Sequence, residues 1–397
     1  MKRLWKTIPP CFSDVQGFQA VINETSGMGI VDDPSRYKPL KMNRGRGDGH
    51  PRGDFRRHGA PGGHGLPGVR VINSDIRNAE IIHGTQQKVL DTFDYNAPNY
   101  DPDFVLLSYA PAASMIGSDL DAAAEIIRER SGLPCAGVDL HGDKDYLYGV
   151  SRTLESMGKL LLTRRETVAN AVNLLGCNTL DWSGETLAAA EELLAGAGYA
   201  VLSRWGVKET TENLKQAAAA SVNLVVNAAG FRLARYMETE FGIPYIVGAP
   251  FGADQWADLL SRLRGASPAA KPVTCDAPQA LVIGEQLTAD AIRRALLRRG
   301  YSRVQVVSLY DMDKAWMWPG DQKLSGEDDL AQKILQPSLR LVVGDPDCRA
   351  AARRDIPWID LPNEASLSPA NPVSNFNMAG EALDRWLDGA LQDRSEV

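Results

Sequence analysis

Apolar and polar positions alternate along this chain with two periods, and the period switches repeatedly. Short apolar runs bounded by Gly or Pro predict buried strands, and amphipathic stretches of ten or more residues predict helices. "FVLLSY" (104–109) reads as a strand, and 118–132 as a helix with Ser118 as N-cap and Gly132 as its stop. A strand follows at 133–140 and a helix at 145–162. The series then restarts. "NAVNLLG" (170–176), "YAVLSRW" (199–205), "SVNLVVN" (221–227) and "IPYIVGAP" (243–250) are strands, separated by helices at 183–198, 210–220 and 231–242. After a linker rich in Ala and Pro (265–279), a third series opens with "ALVIGE" (280–285). It continues through a helix at 288–300, "RVQVVSL" (303–309), "LRLVVGD" (339–345) and "IPWIDLP" (356–362), to a last helix at 378–392. Near the start, "FQAVINETSGMG" (18–29) has the look of one helix.

Near-continuous apolar strands alternating with helices mean parallel sheets covered on both faces. Three series predict an α/β chain of three doubly wound parallel-sheet domains around a central cleft. The boundaries read as 1–165, 166–265 and 276–397. Ligands of such domains collect at the carboxyl ends of strands and between domains.

Residues 40–70, "LKMNRGRGDGHPRGDFRRHGAPGGHGLPGVR", break the pattern. They are rich in Gly, Arg, Pro and His and have no apolar period. They read as a long solvated loop, with a basic docking or RNA-binding segment as the alternative. Their histidines, His50, His58 and His64, are too far apart in such a loop to read as a metal site.

Composition narrows the picture. A chain of 397 residues with 44% hydrophobic and 23% charged residues is an ordinary globular composition, long enough for two or three domains. Its net charge of -7 argues against nucleic acid as the main partner. The apolar runs are too short and too interrupted to span a bilayer, and "MKRLWKTIPPCF" lacks the apolar segment of a signal peptide. Five scattered cysteines (11, 135, 177, 275 and 348) form no CxxC and no disulfide framework, which points to a reducing, cytoplasmic compartment. No GxGxxG follows a predicted strand, and the P-loop, GxSxG and HExxH motifs are missing.

Few groups remain for chemistry. His141, in "DLHGDKDY", leaves the carboxyl end of a strand with Asp139, Asp143 and Lys144 around it. His83, in "IIHGTQQK", is the second candidate for proton delivery. For His141 the alternative is a polar loop that satisfies its own backbone. Cys135 and Cys177 lie in or beside apolar strands and read as core thiols; Cys275 and Cys348 have no partner in view. The two tryptophans of "KAWMWPG" (314–320) read as core or interface. Cys11 is isolated, on a turn just before a helix, where a helix N-terminus favours a thiolate. A buried structural thiol is the alternative.

The order of several segments has a further meaning. "CFSDVQGFQAVINETSGMGIVDDPSRY", "SDIRNAEIIHGTQQKVLDTF" (74–93), "DPDFVLLSYAPAASMIGSDLDAAAEII" (101–127) and "GLPCAGVDLHGDKDYLYGV" (132–150) are followed by "NAVNLLG". "ASVNLVVNAAGFRLARYMETEFGIPY" and the closing "IPWIDLP…NMAGEALDRWL" complete the order. Together they resemble the component-1 family of nitrogenases and nitrogenase-like reductases, over nearly the whole chain. The resemblance implies three Rossmann-like domains, pairing with a related subunit or with itself, and electrons supplied by a separate ATP-dependent iron–sulfur reductase. It implies an iron–sulfur cluster of the 4Fe-4S type shared at a subunit interface. Cys11 matches the first family cluster thiol, but Tyr37 stands at the second, and Tyr109 and Ala110 at the third. Cys11 is then the metal ligand this chain offers, with Asp14 and Asp33 as candidate non-thiolate cofactor ligands. Asn227 stands where the family's molybdenum-type cofactor takes a Cys, and "SNFNMAGEA" supplies no His, so no such cofactor is expected on that pair. Two further readings stay open: a non-catalytic scaffold for metal-cluster assembly, and a cluster-free small-ligand binding protein.

Overall fold

The computed structural model describes residues 8, 11–33, 70–267, 277–352, 355–361, 363–365 and 376–393. Most of the Gly/Arg-rich segment, with His50, His58 and His64, lies outside them, as do Tyr37 and Cys275.

The first domain runs α1 (Asp14–Ile22), β1 (Met28–Asp32), β2 (Val71–Asn73), α2 (Asn78–His83), α3 (Gln86–Tyr100), β3 (Val105–Tyr109), α4 (Pro111–Ile116), α5 (Leu120–Ser131), β4 (Cys135–Gly137) and α6 (Tyr146–Leu161). The helix expected over 18–29 is instead the end of α1 followed by a strand. α1 stops at Ile22, and Met28–Asp32 is buried along its whole length as an inner strand. Gly27 and Gly29 weaken a helix here, and β-branched Ile30 and Val31 suit a strand.

The second domain comprises β5 (Val168–Leu175), α7 (Gly184–Gly196), β6 (Ala200–Trp205), α8 (Thr211–Gln216), β7 (Ala220–Val225), α9 (Phe231–Phe241), β8 (Tyr245–Val247) and α10 (Gly252–Leu263). The third comprises β9 (Ala280–Ile283), α11 (Gln286–Arg298), β10 (Val304–Ser308), β11 (Gln322–Lys323), α12 (Glu327–Ile334), β12 (Leu341–Gly344), β13 (Trp358–Asp360) and α13 (Glu381–Gln392).

The sheets have strand orders β2-β1-β3-β4, β6-β5-β7-β8 and β11-β10-β9-β12-β13, and the pairs between these strands are parallel. The chain is therefore an α/β protein of several doubly wound parallel-sheet domains. No helix of the described residues is long and apolar enough to cross a membrane.

The domains share their cores. One apolar cluster runs from Phe18 and Leu154 of the first domain through Trp205 and Val225 of the second to Tyr310 of the third. Another joins Leu174 and Leu259 to Val282 and Ile292. Burial of this kind, at roughly 25 cal/mol per Å² of apolar surface, fixes the three sheets against one another. Cys177 sits in the second of these and Cys135 in a core of the first domain alone, and burial pushes both thiols up to about 12.

Candidate functional site

In each sheet the first strand in sequence lies inside, with the later strands added on both sides. The crossover direction reverses beside it, and a crevice opens at the carboxyl ends there. Reading off those ends gives Asp32 and Asp33 after β1, Asn178 and Asp181 after β5, Asn227 after β7, Glu285 after β9 and Asp345 after β12. Gly176 makes the second of these turns at φ 95°, and a Cβ there would stand 2.8 Å from the Gly230 nitrogen. Only glycine allows the two loops so close.

Asp181 is where the three domains meet. Its carboxylate accepts from the Tyr146 hydroxyl of the first domain at 2.6 Å, and from Asn178 and Asn227 of its own domain at 2.8 Å each. Asn363 of the third domain donates to it at 3.3 Å. The Tyr146 and Tyr310 rings meet edge to face at 5.0 Å. Glu285 caps α11, accepting from the Leu287 and Thr288 N–H groups, and its Oε1 also accepts from Ala228 of the second domain at 2.9 Å. Asp345 accepts from the Asp347 and Asn363 N–H groups.

Asp181, Glu285 and Asp345 line one cavity of about 30 Å³ with Tyr310, Cys348 and Asn363. Among the described residues neither Lys nor Arg lines it. Burial with no countercharge disfavours the ionised forms. It raises Asp181, lifts Asp345 to about 6 and lifts Glu285 to about 7, where the Asp181 charge adds to the effect. Of these carboxyls, Glu285 is the one placed to exchange a proton near neutral pH. Its volume is about one water's share of liquid, so as folded it has no room for a bulky ligand.

The residues singled out from sequence fall into separate places. Asp14 and His141 come together: buried Asp14 accepts from the His141 backbone N–H at 3.2 Å and from Val15 N–H at 2.8 Å. Burial raises the Asp14 carboxyl, and these backbone hydrogen bonds oppose the rise. The His141 ring lies between Ser114 Oγ, 2.7 Å from Nδ1, and Asp139 Oδ1, 3.1 Å from Nε2. A carboxylate only accepts, so in the neutral ring Nε2 carries the proton and Nδ1 accepts from Ser114. Tyr109 donates to the same Asp139 oxygen at 3.0 Å. Tyr109, Asp139, His141 and Ser114 thus form one half-exposed hydrogen-bonded chain.

Cys11 is half-buried and packs against the shared core; burial raises the Tyr310 hydroxyl, and nearby Cys11 adds to that rise. Asp33 is buried beyond β1; its N–H donates to Ser74 Oγ, while Asp32 accepts from Ser74 and Ser118. Ser118 thus holds Asp32, and Asp119 is the N-cap of α5. His83 stands exposed in the last turn of α2. Among the described residues no three His, Cys, Asp or Glu side chains converge as a metal site. A cubane cluster needs four ligands, and Cys11 and Asp14 are not part of any such group among the described residues. Asn227 is committed at both ends of its amide, to Asp181 and to the Ala229 N–H.

The sequence pattern of the family described as nitrogenase component 1 type oxidoreductase matches residues 52–316. This chain belongs to that family. Its curated relatives include light-independent protochlorophyllide reductase, in each case one subunit of that enzyme. The relative from Acaryochloris marina is 24% identical over 210 residues, covering 49% of this chain and 41% of the relative. That from Angiopteris evecta is 26% identical over 206 residues, covering 49% and 40%. The matched region thus spans about two fifths of these relatives' length. Among solved structures, nitrogenase Cp1 at pH 6.5 superposes with a TM-score of 0.70 at 12% identity, over 100% of this chain and 95% of that one. Nitrogenase Cp1 at pH 5 gives 0.58 at 16% identity, over 92% and 78%. Likeness at such identity is a likeness of fold, and it agrees with the three-domain α/β architecture of this nitrogenase-like protein.

Asp181, Glu285, Asp345, Tyr146 and Asn363 were not singled out from sequence. A signal for two of them exists: "LVIGE" and "LVVGD" each end an apolar strand in Gly and a carboxylate.

Proposed function

We propose that this chain is a subunit of a nitrogenase-like two-component reductase. It pairs with a related subunit, or with itself, and receives electrons from a separate ATP-dependent iron–sulfur reductase. Family membership and the similarity to a protochlorophyllide reductase component support this reading. The feature that carries it is Cys11, half-buried just before α1, which the sequence resemblance aligns with a family cluster thiol. In this reading Cys11 is one ligand to an iron–sulfur cluster completed by the partner's thiols. Such a cluster, when bound, supplies one-electron transfer at low potential. Asp14 holds the turn after Cys11 against the His141 backbone. His141 and His83 are the candidate proton donors, and His141 has the better-defined relay through Ser114 and Asp139.

The test is iron and sulfide content with EPR on anaerobically purified protein, alone and with its paralogue. A signal that needs both chains and disappears in Cys11→Ala supports the reading. Iron-free protein under both conditions, with Cys11→Ala indistinguishable, rejects it. One observation favours a second reading, a cluster-free small-ligand binding protein: the described residues bring no three metal-ligating side chains together. The iron-free outcome selects it.

A further inference from the structure

A second polar cavity, of about 50 Å³, lies in the seam between the second and third domains. Gln255, Asp258 and Arg262 of α10, spaced to share one helix face, form one wall. Asp290, Arg293 and Arg294 of α11 form the other, and Trp316 and Trp318 close the side. The charges are matched. Arg262 Nη2 reaches Asp258 at 2.9 Å and the Val247 carbonyl at 2.7 Å. Arg293 binds Asp290 and is gripped by both Asp321 oxygens at 2.7 and 2.9 Å, and Arg294 Nε reaches Asp290 at 2.9 Å.

Two polar atoms are left over. Gln255 Oε1 and Arg262 Nε are buried and have no hydrogen-bond partner among the described residues. Gln255 is 2% exposed and the Arg262 side chain 7%. Turning the Gln255 amide does not help. Its Nε2 faces two acceptors, the Leu287 carbonyl at 3.5 Å and Asp290 Oδ2 at 3.4 Å, and an oxygen there would be repelled. Both side chains approach Gly248, where a Cβ would stand 3.1 Å from Arg262 Nη2 and 4.0 Å from Gln255 Cγ. An orphaned acceptor and an orphaned donor thus border one cavity from one helix face. Buried polar groups of this kind are costly unless something satisfies them.

We infer that the seam is a binding site for buried water, one molecule donating to Gln255 Oε1 and accepting from the Arg262 Nε–H. At about 30 Å³ per water, the cavity takes about one or two. An anion suits it poorly, because Gln255 Oε1 offers only lone pairs and Asp258 and Asp290 stand beside it. A cation meets the Arg262 N–H and two further guanidinium groups. A small neutral molecule that both donates and accepts satisfies both orphans. The site sits against α11, the helix whose N-cap Glu285 lines the central cavity, so the contact between those two domains is hydrated where it flanks the junction.

The test is a crystal structure of the full chain at a resolution that shows ordered water, with magnetic relaxation dispersion of water on wild type and Gln255→Leu. The expected result is density within about 2.7–3.2 Å of both orphaned atoms. Gln255→Leu should lack about one long-lived water relative to wild type. A dry cavity, a rotamer that pairs either atom with protein, a bound ion or a larger solute at the site, or equal dispersion in the two proteins would overturn the inference. If Gln255→Leu does not fold, the wild-type density decides alone.

Discussion

The Tyr146 hydroxyl, on the first residue of α6, donates to Asp181 across the boundary between the first and second domains at 2.6 Å. Asn363 of the third domain reaches the same hydroxyl at 3.2 Å. One phenol therefore ties three sheets together. Tyr146→Phe keeps the ring packed against Tyr310 and removes only the oxygen. It leaves a buried carboxyl short of a donor, so the expected loss is about 1–3 kcal/mol. Urea unfolding of the two proteins measures it. A change well below 1 kcal/mol would mean that Asn178 and Asn227 hold Asp181 unaided.

Glu285 links the junction to pH. Its carboxyl titrates at about 7 in the fold, against an ordinary 4.5. Between those values the folded state binds more protons than the unfolded one, so stability falls as pH rises. The contribution is fully present below about pH 4.5 and is lost as pH rises through about 7. At 1.36 kcal/mol per pKa unit, its size is on the order of 3 kcal/mol. Asp345, at about 6, adds a loss of the same sign over a lower window. Glu285→Gln is expected to be less stable throughout, because its NH₂ faces backbone donors, and to show a shallower fall between pH 5 and 7. Unfolding free energies at a series of pH values test this; an unchanged slope would place the titration elsewhere.

Much of this architecture was legible in sequence. Runs such as "FVLLSY" and "ALVIGE" are buried strands because parallel sheets covered on both faces leave no polar side. Met28–Asp32 was not legible as a strand, because Gly27 and Gly29 mask its period and its neighbours β2 and β3 come from far along the chain. The site was read less completely. His141 carried a visible local cue at the end of a strand and Asp14 came in with the family resemblance, whereas Asp181 and Asn363 gain meaning only when loops 182 residues apart meet. Helix-turn spacing does not encode contacts of that range. The tryptophans of "KAWMWPG" came out as half-buried packing: Trp316 lies against Phe231, and Trp318 lies under the Arg293 guanidinium.

The Arg293–Asp321 pair is nearly dry, with the side chains 3% and 2% exposed. Asp321 also accepts from the Val306 and Trp318 N–H groups. Asp321→Asn keeps the shape but removes the charge and turns an NH₂ toward donors. Breaking one side of a buried pair costs about 3–5 kcal/mol, because the other charge is stranded. Thermal and urea unfolding of the variant check this. A loss under about 1 kcal/mol would show that Asp290 alone satisfies Arg293.

α1 and α6 cross through two glycines, and this crossing fixes where Cys11, Asp14 and His141 stand. A Cβ on Gly149 would lie 1.8 Å from the Asp14 carbonyl oxygen, and one on Gly17 would lie 2.2 Å from that of Tyr146. Both obstacles are backbone, which cannot swing aside as a side-chain tip can. Gly149→Ala must push the helices apart, at about 1–3 kcal/mol or more. It should also loosen the turn that carries Cys11 and speed alkylation of that thiol, read by peptide mapping. Gly196→Ala, in the last turn of α7, meets nothing within 4 Å and should instead stabilise by about 0.5–1 kcal/mol through helix propensity. The same substitution is thus expected to have opposite signs at two helical glycines. If both variants were stabilised alike, the close crossing would not exist in solution, and the placement of Cys11 beside Tyr310 would go with it.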